Sequence, residues 1–409
     1  MDIIVQKYGG TSVGSTERIR RVAERVAAAA VEGKSVVVVV SAMSGETNRL
    51  VGLASSVAES PAGREYDVIV SSGEQVSAGL LALTLQEMGS PALSLLAHQI
   101  PIITDDTHTS ARIKDIDVET IKRRLAEGLI VVVPGFQGVT PSGEITTLGR
   151  GGSDTTAVAL AAALHAEVCE IYTDVEGVFT TDPGLCADAR KLSKISYDEM
   201  LEMASLGAKV LQTRSVEFAR KYSIPVLVRS SFTDSEGTLV TMEDEDMEKV
   251  VVSGITYERD EAKISVVGVP DRPGIAARIF KPLTDAGINV DMIVQNIGTE
   301  ASTDLTFTVF EGDFDEAMSI MGATALDIKA ADVIGDRDIS KVSIVGAGMK
   351  SHAGIASKTF EVLAEEGINI EMISTSEIKI SCVVESKYME LAVRVLHKAF
   401  GLADEPHAS

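Results

Sequence analysis

Residues 3–12, IIVQKYGGTS, place two glycines directly after the first apolar run of the chain. A second glycine-rich stretch, GRGGSD at residues 149–154, directly precedes an alanine-rich segment of helical character. Glycine lets the backbone approach a ligand closely, and converging backbone N–H groups bind phosphate. The two stretches together predict chemistry on a phosphorylated nucleotide.

Four uninterrupted apolar runs predict the sheet to which the first stretch belongs. They are residues 3–6, 36–40, 130–133 and 224–228. Such runs are typical of parallel strands that are buried on both faces. Amphipathic helices are predicted between them, one beginning near Ser15 and one at Ser72, where Gln75 would complete a capping box. We therefore predict an α/β fold, a three-layer α/β/α domain around a mainly parallel sheet.

Lys7 lies at the end of the first predicted strand, and Gly9 and Gly10 follow it. Ligands of open α/β sheets bind at the carboxyl edge of the strands. We therefore expect the Lys7 ammonium to bridge phosphates at that edge. The alternative is a solvent-facing lysine before an ordinary turn.

The second glycine-rich stretch is predicted to begin a helix, with Ser153 or Asp154 as the N-cap of residues 155–164. A helix N-terminus attracts anions, and Arg150 adds a donor for carboxylate or phosphate. Asp154 would repel phosphate, so its role stays open. It could orient Lys7, bind a substrate ammonium, help to hold magnesium, or only cap the helix.

Composition narrows the possible partners. The chain has 409 residues and a net charge of −23. Binding to nucleic acid or to an anionic membrane requires clustered Lys and Arg, so neither partner is expected. The three cysteines are far apart, which argues against disulfides and zinc. No basic-then-apolar leader opens the sequence, and we expect a cytoplasmic protein.

An acidic run at residues 243–248 is interpreted as a linker, and the sequence beyond it repeats. Residues 275–280 match 355–360, and residues 287–293 match 367–373, both at an offset of 80 residues. Each copy has the order strand, loop, helix, strand, which is typical of small ferredoxin-like modules. Residues 346–348, GAG, resemble a dinucleotide loop, but we interpret them as part of the second copy. The predicted domains are 1–245, 262–337 and 341–409.

The repeated units carry no plausible catalytic constellation, which suggests a sensor of a small molecule. The candidate binding residues of the first copy are Asp271, Gly274, Ile275, Ala276, Asn289, Asp291 and Gln295. They would offer backbone N–H groups and a carboxylate to an amino acid. The alternative is that the repeated glycines and asparagines only make turns.

Five motifs carry a resemblance to a known family. They are KYGGTSV at 7–13, SAMSGETN at 41–48, SGE at 72–74, TLGRGGSD at 147–154 and TDVEGVFTTDP at 173–183. In their order, and with the paired C-terminal units, they resemble the motif series of bacterial monofunctional aspartokinases with two C-terminal ACT domains. The resemblance covers essentially the whole chain. Phe179 stands where many relatives carry tyrosine.

The resemblance implies an amino acid kinase fold followed by two ferredoxin-like ACT domains. It implies transfer of the γ-phosphoryl group of ATP, with Mg²⁺, to the β-carboxylate of L-aspartate. Lys7 and Asp154 would be the catalytic residues. The nucleotide would contact Lys7, Tyr8, Gly9, Gly10, Ser41, Asp154, Thr173, Asp174, Phe179, Thr180, Thr181, Asp182, Pro183, Gly184 and Lys209. Aspartate would contact Thr47, Glu74, Arg150, Gly151, Gly152, Ser153 and Asp154.

Two roles are left unassigned. No side chain is assigned as a direct magnesium ligand. No side chain is assigned as a general base either, because a carboxylate nucleophile is already ionised at pH 7. Glu74 is expected to bind the ammonium of aspartate, although a favourable contact with the dipole of its own helix is the alternative.

For the ACT pair, the resemblance implies feedback inhibition by lysine and/or threonine. The implied effector residues are Asp271, Gly274, Ile275, Ala276, Asn289, Val290, Asp291, Gln295, Ile355, Ala356, Asn369, Ile370, Glu371, Thr375 and Ser376. It also implies a homo-oligomer or an α2β2 assembly with a short ACT-only subunit. The reaction would be the first step toward lysine, threonine and methionine.

Two rival functions are retained. One is phosphorylation of a different carboxylate, such as glutamate, by another member of the amino acid kinase family. The other is a non-catalytic amino-acid sensor. The joint presence of Lys7, Arg150, Asp154 and Asp174 disfavours the sensor. The ACT-like pair and the sequence context of Glu74 disfavour the other kinase.

Overall fold

The computed structural model describes residues 2–206, 210–244, 247, 250–297 and 302–403. The chain divides into two compact units. The first unit contains Met1–Phe179, Lys191–Ser205 and Lys209–Met247. The second contains Thr180–Arg190, Leu206–Ala208 and Glu248–Ser409. The short segment Thr180–Arg190 is therefore flanked in sequence by the first unit but belongs to the second.

The first unit has the predicted alternation of strands and helices. Its strands are β1 (Ile3–Tyr8), β2 (Ser35–Val40), β3 (Ala92–Ser94), β4 (Ile102–Thr104), β5 (Ile113–Ile116), β6 (Ile130–Pro134), β7 (Gln137–Val139), β8 (Ile145–Thr147), β9 (Val168–Thr173), β10 (Lys194–Ser196), β11 (Val226–Ser230) and β12 (Thr238–Thr241). Its helices are α1 (Thr16–Val31), α2 (Glu46–Val57), α3 (Arg64–Val70), α4 (Ser72–Glu87), α5 (Glu119–Ala126), α6 (Gly152–Leu164), α7 (Tyr197–Ser205) and α8 (Thr213–Tyr222).

The main sheet has the strand order β10-β12-β11-β9-β1-β2-β6-β3. Every neighbouring pair is parallel except β11 and β12, so the prediction of a mainly parallel sheet is confirmed. Alternate residues of a strand face opposite sides. Ile4, Val38 and Val40 pack with α1 and α4 in one core, whereas α6 packs against the opposite face of β1, β2 and β9. A smaller sheet, β5-β4-β7-β8, adjoins this layer structure in the same unit.

The predicted helix starts near Ser15 and at Ser72 are confirmed, whereas the capping box at Ser72 and the predicted start of α6 are not. Ser15 caps α1 as predicted, because its side chain accepts a hydrogen bond from the Arg18 N–H at 3.3 Å. The predicted capping box at Ser72 is wrong. Because α3 ends at Val70, α4 continues from a helical turn and has no side-chain cap, and the Ser72 hydroxyl donates to the Ile69 carbonyl at 2.6 Å instead.

The predicted N-cap of α6 is also wrong. The helix begins at Gly152, one turn earlier, with Gly151 as the N-cap in the left-handed region at φ 70°. Glycine adopts this conformation without strain, so the chain enters the helix before it reaches Ser153 and Asp154. Both side chains therefore lie inside the first turn and are available for other contacts.

The second unit contains the predicted repeat. Its strands are β13 (Gly254–Pro270), β14 (Val290–Ile297), β15 (Ser302–Phe310), β16 (Asp332–Val345), β17 (Met372–Thr375) and β18 (Lys379–Glu385). Its helices are α9 (Ile275–Asp285), α10 (Phe314–Ile328), α11 (Ile355–Glu365) and α12 (Met389–Ala399). All six strands form one antiparallel sheet in the order β14-β15-β13-β16-β18-β17.

The long strands β13 and β16 each serve both repeats. Residues 263–267 pair with 332–336 in the first repeat, and residues 254–258 pair with 341–345 in the second. The second repeat therefore includes a strand that precedes the first repeat in sequence. Each repeat nevertheless has its own apolar core, one around Phe307 and one around Val342.

One helical stretch of the described residues, Arg64–Glu87, is long and apolar enough to cross a membrane by length and composition alone, with a mean hydropathy of 1.4. Within its most apolar part, 50% of the stretch is buried inside the protein. Leu81 and Leu85 of this stretch belong to the core beneath the main sheet. We interpret it as the pair α3 and α4 of the first unit.

The GAG stretch belongs to the second repeat, as interpreted from the sequence. The Gly346 N–H donates to the Ile378 carbonyl at 3.0 Å, and a Cβ at Gly346 would lie 2.3 Å from the Val251 carbonyl oxygen. The glycine is therefore required by the close approach of residue 251, within the core that completes the second repeat.

We expect Gly346→Ala to destabilise the second unit by about 1–3 kcal/mol, because backbone atoms must move to admit the methyl group. The matched control is Gly52→Ala in α2, where a Cβ would meet nothing within 4 Å. The control should leave stability unchanged or raise it by up to about 1 kcal/mol. Thermal unfolding of the two variants and the parent checks this, and equal melting temperatures for both variants would contradict it.

Candidate active site

The first glycine loop is a tight turn at the carboxyl end of β1. The Gly9 N–H donates to the Tyr172 carbonyl at 3.2 Å, and the Ser12 N–H donates to the Gly9 carbonyl at 2.9 Å. A Cβ at Gly10 would lie 2.9 Å from the Ala42 carbonyl oxygen, so only glycine fits between the ends of β1 and β2. This close approach leaves the backbone of the loop at the sheet edge, where the sequence predicted it.

Tyr8 was expected to contact the nucleotide, but its ring lies in the core. The side chain is fully buried and stacks on Tyr172, with ring centroids 4.7 Å apart. Burial raises the pKa of the Tyr8 hydroxyl well above its ordinary value. Only the main chain of Tyr8 can therefore take part in a site at this edge.

The second glycine loop connects β8 to α6. Gly149 and Gly151 both adopt left-handed backbone conformations, at φ 77° and 70°. A Cβ at Gly151 would lie 1.8 Å from the Gln212 side chain, and one at Gly152 would lie 2.8 Å from the Phe136 ring. The loop thus needs glycine both for its turns and for its packing.

The two loops open onto the same cleft of the first unit. Lys7 Nζ lies 2.6 Å from Asp154 Oδ1, and both side chains are nearly buried, at 11% and 12% exposure. The cleft has a volume of about 320 Å³. It is lined by Lys7, Gly10, Ser41, Ala42, Met43, Ser44, Gly45, Thr47, Glu74, Phe136, Gly149, Arg150, Gly151, Gly152, Ser153 and Asp154.

Of the alternatives for Asp154, the structure shows the contact with Lys7 and no capping of α6, and the roles toward a substrate ammonium or magnesium stay predictions. Arg150, which lies in the second glycine loop before α6, is exposed and lines the cleft. The cleft therefore has one oriented ammonium, one exposed guanidinium and the N-terminus of α6 with which to receive anions.

Glu74 is the buried carboxylate of the cleft. It lies in the first turn of α4 with 4% exposure, and its Oε1 accepts a hydrogen bond from the Ala42 N–H at 3.1 Å. Its Oε2 is buried and has no hydrogen-bond partner. Burial raises the pKa of Glu74 to about 7, and the Ala42 hydrogen bond opposes the rise. A cationic group in the cleft would satisfy this free oxygen.

Several predicted nucleotide residues do not line this cleft. Thr173 and Asp174 lie at the end of β9, with the Thr173 hydroxyl 3.1 Å from Asp174 Oδ1, and Phe179 follows in the same unit. Thr180, Thr181, Asp182, Pro183 and Gly184 belong to the second unit. Lys209 lies outside the described residues.

Two side chains of the Thr180–Gly184 stretch form polar contacts with other residues of the second unit. The Thr180 hydroxyl and His397 Nε2 lie 2.9 Å apart in a buried contact, and the Tyr257 hydroxyl donates to Asp182 Oδ2 at 2.7 Å. Burial lowers the pKa of His397. The predicted nucleotide role of this stretch stays a prediction.

Sequence reasoning missed Phe136 in the cleft. This residue adopts a left-handed backbone at φ 71°, unusual for an aromatic residue, and its N–H donates to the Thr156 hydroxyl of α6 at 3.1 Å. Strained backbone is often found at functional sites. The signal in the sequence was the position of Phe136 two residues after β6, at the same sheet edge as Lys7.

The predicted effector residues of the second unit fall into two groups. Those exposed to solvent are Asp271, Gly274, Asn289, Asp291, Gln295, Asn369, Thr375 and Ser376, and those partly or fully buried are Ile275, Ala276, Val290, Ile355, Ala356, Ile370 and Glu371. Asp291 and Glu371 form ion pairs with Lys341 and Lys263 of the opposite repeat. These two carboxylates are thus already engaged by the protein itself.

Comparison with known proteins identifies the family. The model of the amino acid kinase family matches residues 2–230, and that of the ACT domain matches residues 264–323 and 342–400. An aspartokinase of Pseudomonas aeruginosa is 58% identical over 404 residues, which are 98% of each chain.

Solved structures agree with this. The structure of E. coli aspartokinase III in complex with aspartate and ADP has a TM-score of 0.81 and 28% identity, and the match covers 97% of this chain and 99% of that one. Its complex with lysine and aspartate has a TM-score of 0.79 and 28% identity over 98% of this chain and 100% of that one. The chain belongs to the amino acid kinase family and, within it, to the aspartokinases with C-terminal ACT domains.

The raised pKa of Glu74 predicts a pH dependence of stability in the ligand-free protein. A carboxyl whose pKa is raised from 4.5 to about 7 on folding favours the native state below pH 4.5, and this contribution is lost as the pH rises through 7. We expect Glu74→Gln to remove the loss, so that the variant gains about 1–3 kcal/mol relative to the parent between pH 5 and pH 8. Melting temperatures of both proteins at the two pH values test this; the same pH dependence in both would contradict it.

Proposed function

We propose that this member of the aspartokinase family transfers the γ-phosphoryl group of ATP to the β-carboxylate of L-aspartate, giving 4-phospho-L-aspartate. The observation that carries the proposal is the meeting of the two glycine loops at one cleft, with Lys7 and Asp154 in contact at 2.6 Å. Phosphoryl transfer needs two anions aligned and their charge neutralised. A cleft with these cationic and N–H donors suits that task.

On the nucleotide side, Lys7 and the backbone of the Gly9–Gly10 turn would hold the ATP phosphates. The Gly9 N–H itself donates to the Tyr172 carbonyl and so fixes the turn. The lysine is preoriented by Asp154, so its charge is in place before the transition state forms. Ser41, whose N–H donates to the Tyr8 carbonyl at 3.0 Å, would lie beside them. Thr173, Asp174, Phe179–Gly184 and Lys209 would line the rest of the nucleotide, as the family resemblance implies.

Magnesium would accompany ATP. Among the described residues, no group of three or more His, Cys, Asp and Glu side chains is placed to hold a metal ion. Magnesium at such sites is commonly held by one or two carboxylates together with substrate phosphates, which fits Asp154 beside Lys7. The ion, when bound, neutralises charge on the transferring phosphates.

On the aspartate side, Glu74 would bind the ammonium and Arg150 a carboxylate. The free, buried Oε2 of Glu74 is the acceptor that an ammonium requires, and its pairing would favour the ionised form. Thr47 and the start of α6, from Gly151 to Ser153, would fix the other polar groups of the substrate. The attacking β-carboxylate is ionised at pH 7, so we assign no general base.

The proposed mechanism is therefore one of alignment and charge. Aspartate would lie on the Arg150 loop and the ATP phosphates on the Lys7 loop, with the acceptor oxygen in line with the γ-phosphorus. The −23 net charge of the chain would repel both substrates. The positive groups of this one cleft have to overcome that repulsion locally, so each of them is expected to matter.

The second unit would act as the sensor, binding lysine and/or threonine and shifting the enzyme between active and inactive states. The reaction of such a regulated enzyme would be the first step toward lysine, threonine and methionine, and it would take place in the cytoplasm. We also propose an oligomer, either of identical chains or of α2β2 form with a short ACT-only subunit.

An assay of ADP release distinguishes this proposal from the two rival functions. A kinase for another carboxylate would release ADP faster with glutamate or a related acid than with aspartate. A non-catalytic sensor would release none with any of them. The presence of Glu74 and Arg150 in the same cleft as Lys7 favours an amino acid as the acceptor.

We expect Lys7→Ala to lower aspartate-dependent turnover about 100-fold or more while the fold is kept, because its ammonium neutralises transferring charge. The matched control is Lys34→Ala. Lys34 directly precedes β2 and forms an ion pair with Glu167, so the substitution removes the same charge outside the cleft. The control should keep parental turnover. ADP release and trapping of the acyl phosphate with hydroxylamine measure both; near-parental turnover of a folded Lys7→Ala protein would refute the role of Lys7.

We expect inhibition by lysine or threonine to vanish in Asp271→Ala and in Gln295→Ala, both exposed positions of the first repeat. Basal turnover should stay within about twofold, since neither residue lines the cleft. Glu316→Ala, an exposed carboxylate at the start of α10, is the control that should keep inhibition. Dose–response curves for lysine, threonine and both together test this. Unchanged inhibition in both variants would move the effector site elsewhere.

A further inference from the structure

Asp67 is a fully buried carboxylate outside the cleft. It lies on α3, and both of its oxygens are surrounded by donors. The Thr109 N–H lies 3.1 and 3.0 Å from the two oxygens, and the Thr147 N–H lies 3.1 Å from Oδ2. The Thr147 hydroxyl donates to Oδ1 at 2.6 Å, and His108 Nδ1 lies 2.9 Å from Oδ2.

These donors come from the two segments that support the second glycine loop. Thr147 is the last residue of β8, two residues before Gly149. Thr109 lies beneath the loop, since a Cβ at Gly149 would be 3.1 Å from the Thr109 carbonyl oxygen. The Ala111 N–H also donates to the Thr147 carbonyl at 2.9 Å. Asp67 therefore joins the strand that enters the loop to the segment on which the loop rests.

A second clamp holds the same two segments from α8. Arg214 donates to the Leu148 carbonyl at 2.6 Å through Nη1 and to the Ala111 carbonyl at 3.1 Å through Nη2. Leu148 directly precedes the loop. The chain that enters the loop and the segment beneath it are thus held together by the Asp67 carboxylate and the Arg214 guanidinium, neither of which lines the cleft.

A buried carboxylate is costly unless its oxygens are fully hydrogen-bonded. Hydrogen bonds to a charged acceptor are also stronger and more demanding in geometry than neutral ones. If position 67 only had to pack in the core, an apolar residue would be sufficient there. The use of a carboxylate that contacts four polar groups of His108, Thr109 and Thr147 indicates a requirement for position.

We propose that Asp67 is a positioning residue that sets the place of the Arg150 loop, and thereby the affinity for the acceptor amino acid. The inference rests on the proposed function, in which that loop holds aspartate. Loss of the Asp67 contacts lets β8 and the loop shift together. The effect falls mainly on the KM for aspartate, because Arg150 lies in the loop itself, whereas Lys7 lies on β1 and its partner Asp154 lies within α6.

The test compares Asp67→Asn, Thr147→Val and Thr147→Ser in the full chain. An amide cannot accept hydrogen bonds at both positions, so Asp67→Asn should raise the KM for aspartate about tenfold or more, with the KM for ATP within about twofold. Thr147→Val removes one hydroxyl donor at constant shape and should raise the KM for aspartate severalfold. Thr147→Ser keeps the hydroxyl and should restore it, which decides the matter even if Asp67→Asn does not fold.

Glu199→Gln is the matched control for general destabilisation. Glu199 is a buried carboxylate of the same unit that accepts from the Ser196 N–H at 3.1 Å and lies outside the cleft. The Glu199→Gln substitution should lower the melting temperature and leave the KM for aspartate unchanged. The inference is overturned if Thr147→Val and Thr147→Ser give the same KM for aspartate, or if the KM for ATP rises equally. Absence of aspartate-dependent turnover in the parent would instead defeat the proposed function.

Discussion

The contact between Lys7 and Asp154 is the interaction on which the candidate site depends. It joins the end of β1 to the first turn of α6, so that the two glycine loops, one after β1 and one before α6, meet at one cleft. A nearly buried ion pair adds little net stability, because desolvation offsets most of its Coulomb energy. Its value lies in holding an ammonium in a fixed place beside a set of backbone N–H groups. The pair therefore explains the geometry of the cleft better than it explains the stability of the unit.

The parallel sheet makes that contact possible, and the sequence predicts the sheet well. Val36 to Val40 are apolar without interruption, a pattern that only a strand covered on both faces accommodates. Parallel strands end at one edge, so the loops after β1, β2 and β6 must converge there. Gly9 and Gly10 were found from sequence for the same reason: a strand followed by two glycines fixes both place and conformation. Arg150 was also found from sequence, as a cation beside a predicted helix N-terminus, whereas the assignment of Glu74 to the substrate depended on the family resemblance.

Several features that the sequence did not predict depend on contacts formed only in the folded protein. Asp67 stands in a run of charged and apolar residues and has the appearance of a solvated helix position, yet it is fully buried by segments about 40 and 80 residues away. The capping box at Ser72 failed because α3 ends two residues earlier, a boundary that propensity does not fix. Tyr8 follows a lysine that points to the cleft, and strand alternation therefore sends its ring into the core. For Asp67 and Tyr8 the deciding partner is distant in sequence, whereas the capping box is decided by the helix that immediately precedes it.

The second unit shows that its two repeats are not independent modules. Lys263 pairs with Glu371 and Lys341 with Asp291, so each repeat supplies a lysine to the other at equivalent positions of the duplication. Lys341 also contacts Glu261, and burial raises the pKa of that carboxyl to about 7. The strand at residues 254–258 completes the second repeat but precedes the first, so neither repeat can be cut from the chain without breaking the shared sheet. A change in one repeat must therefore act on the strand pairing and the ion pairs of the other.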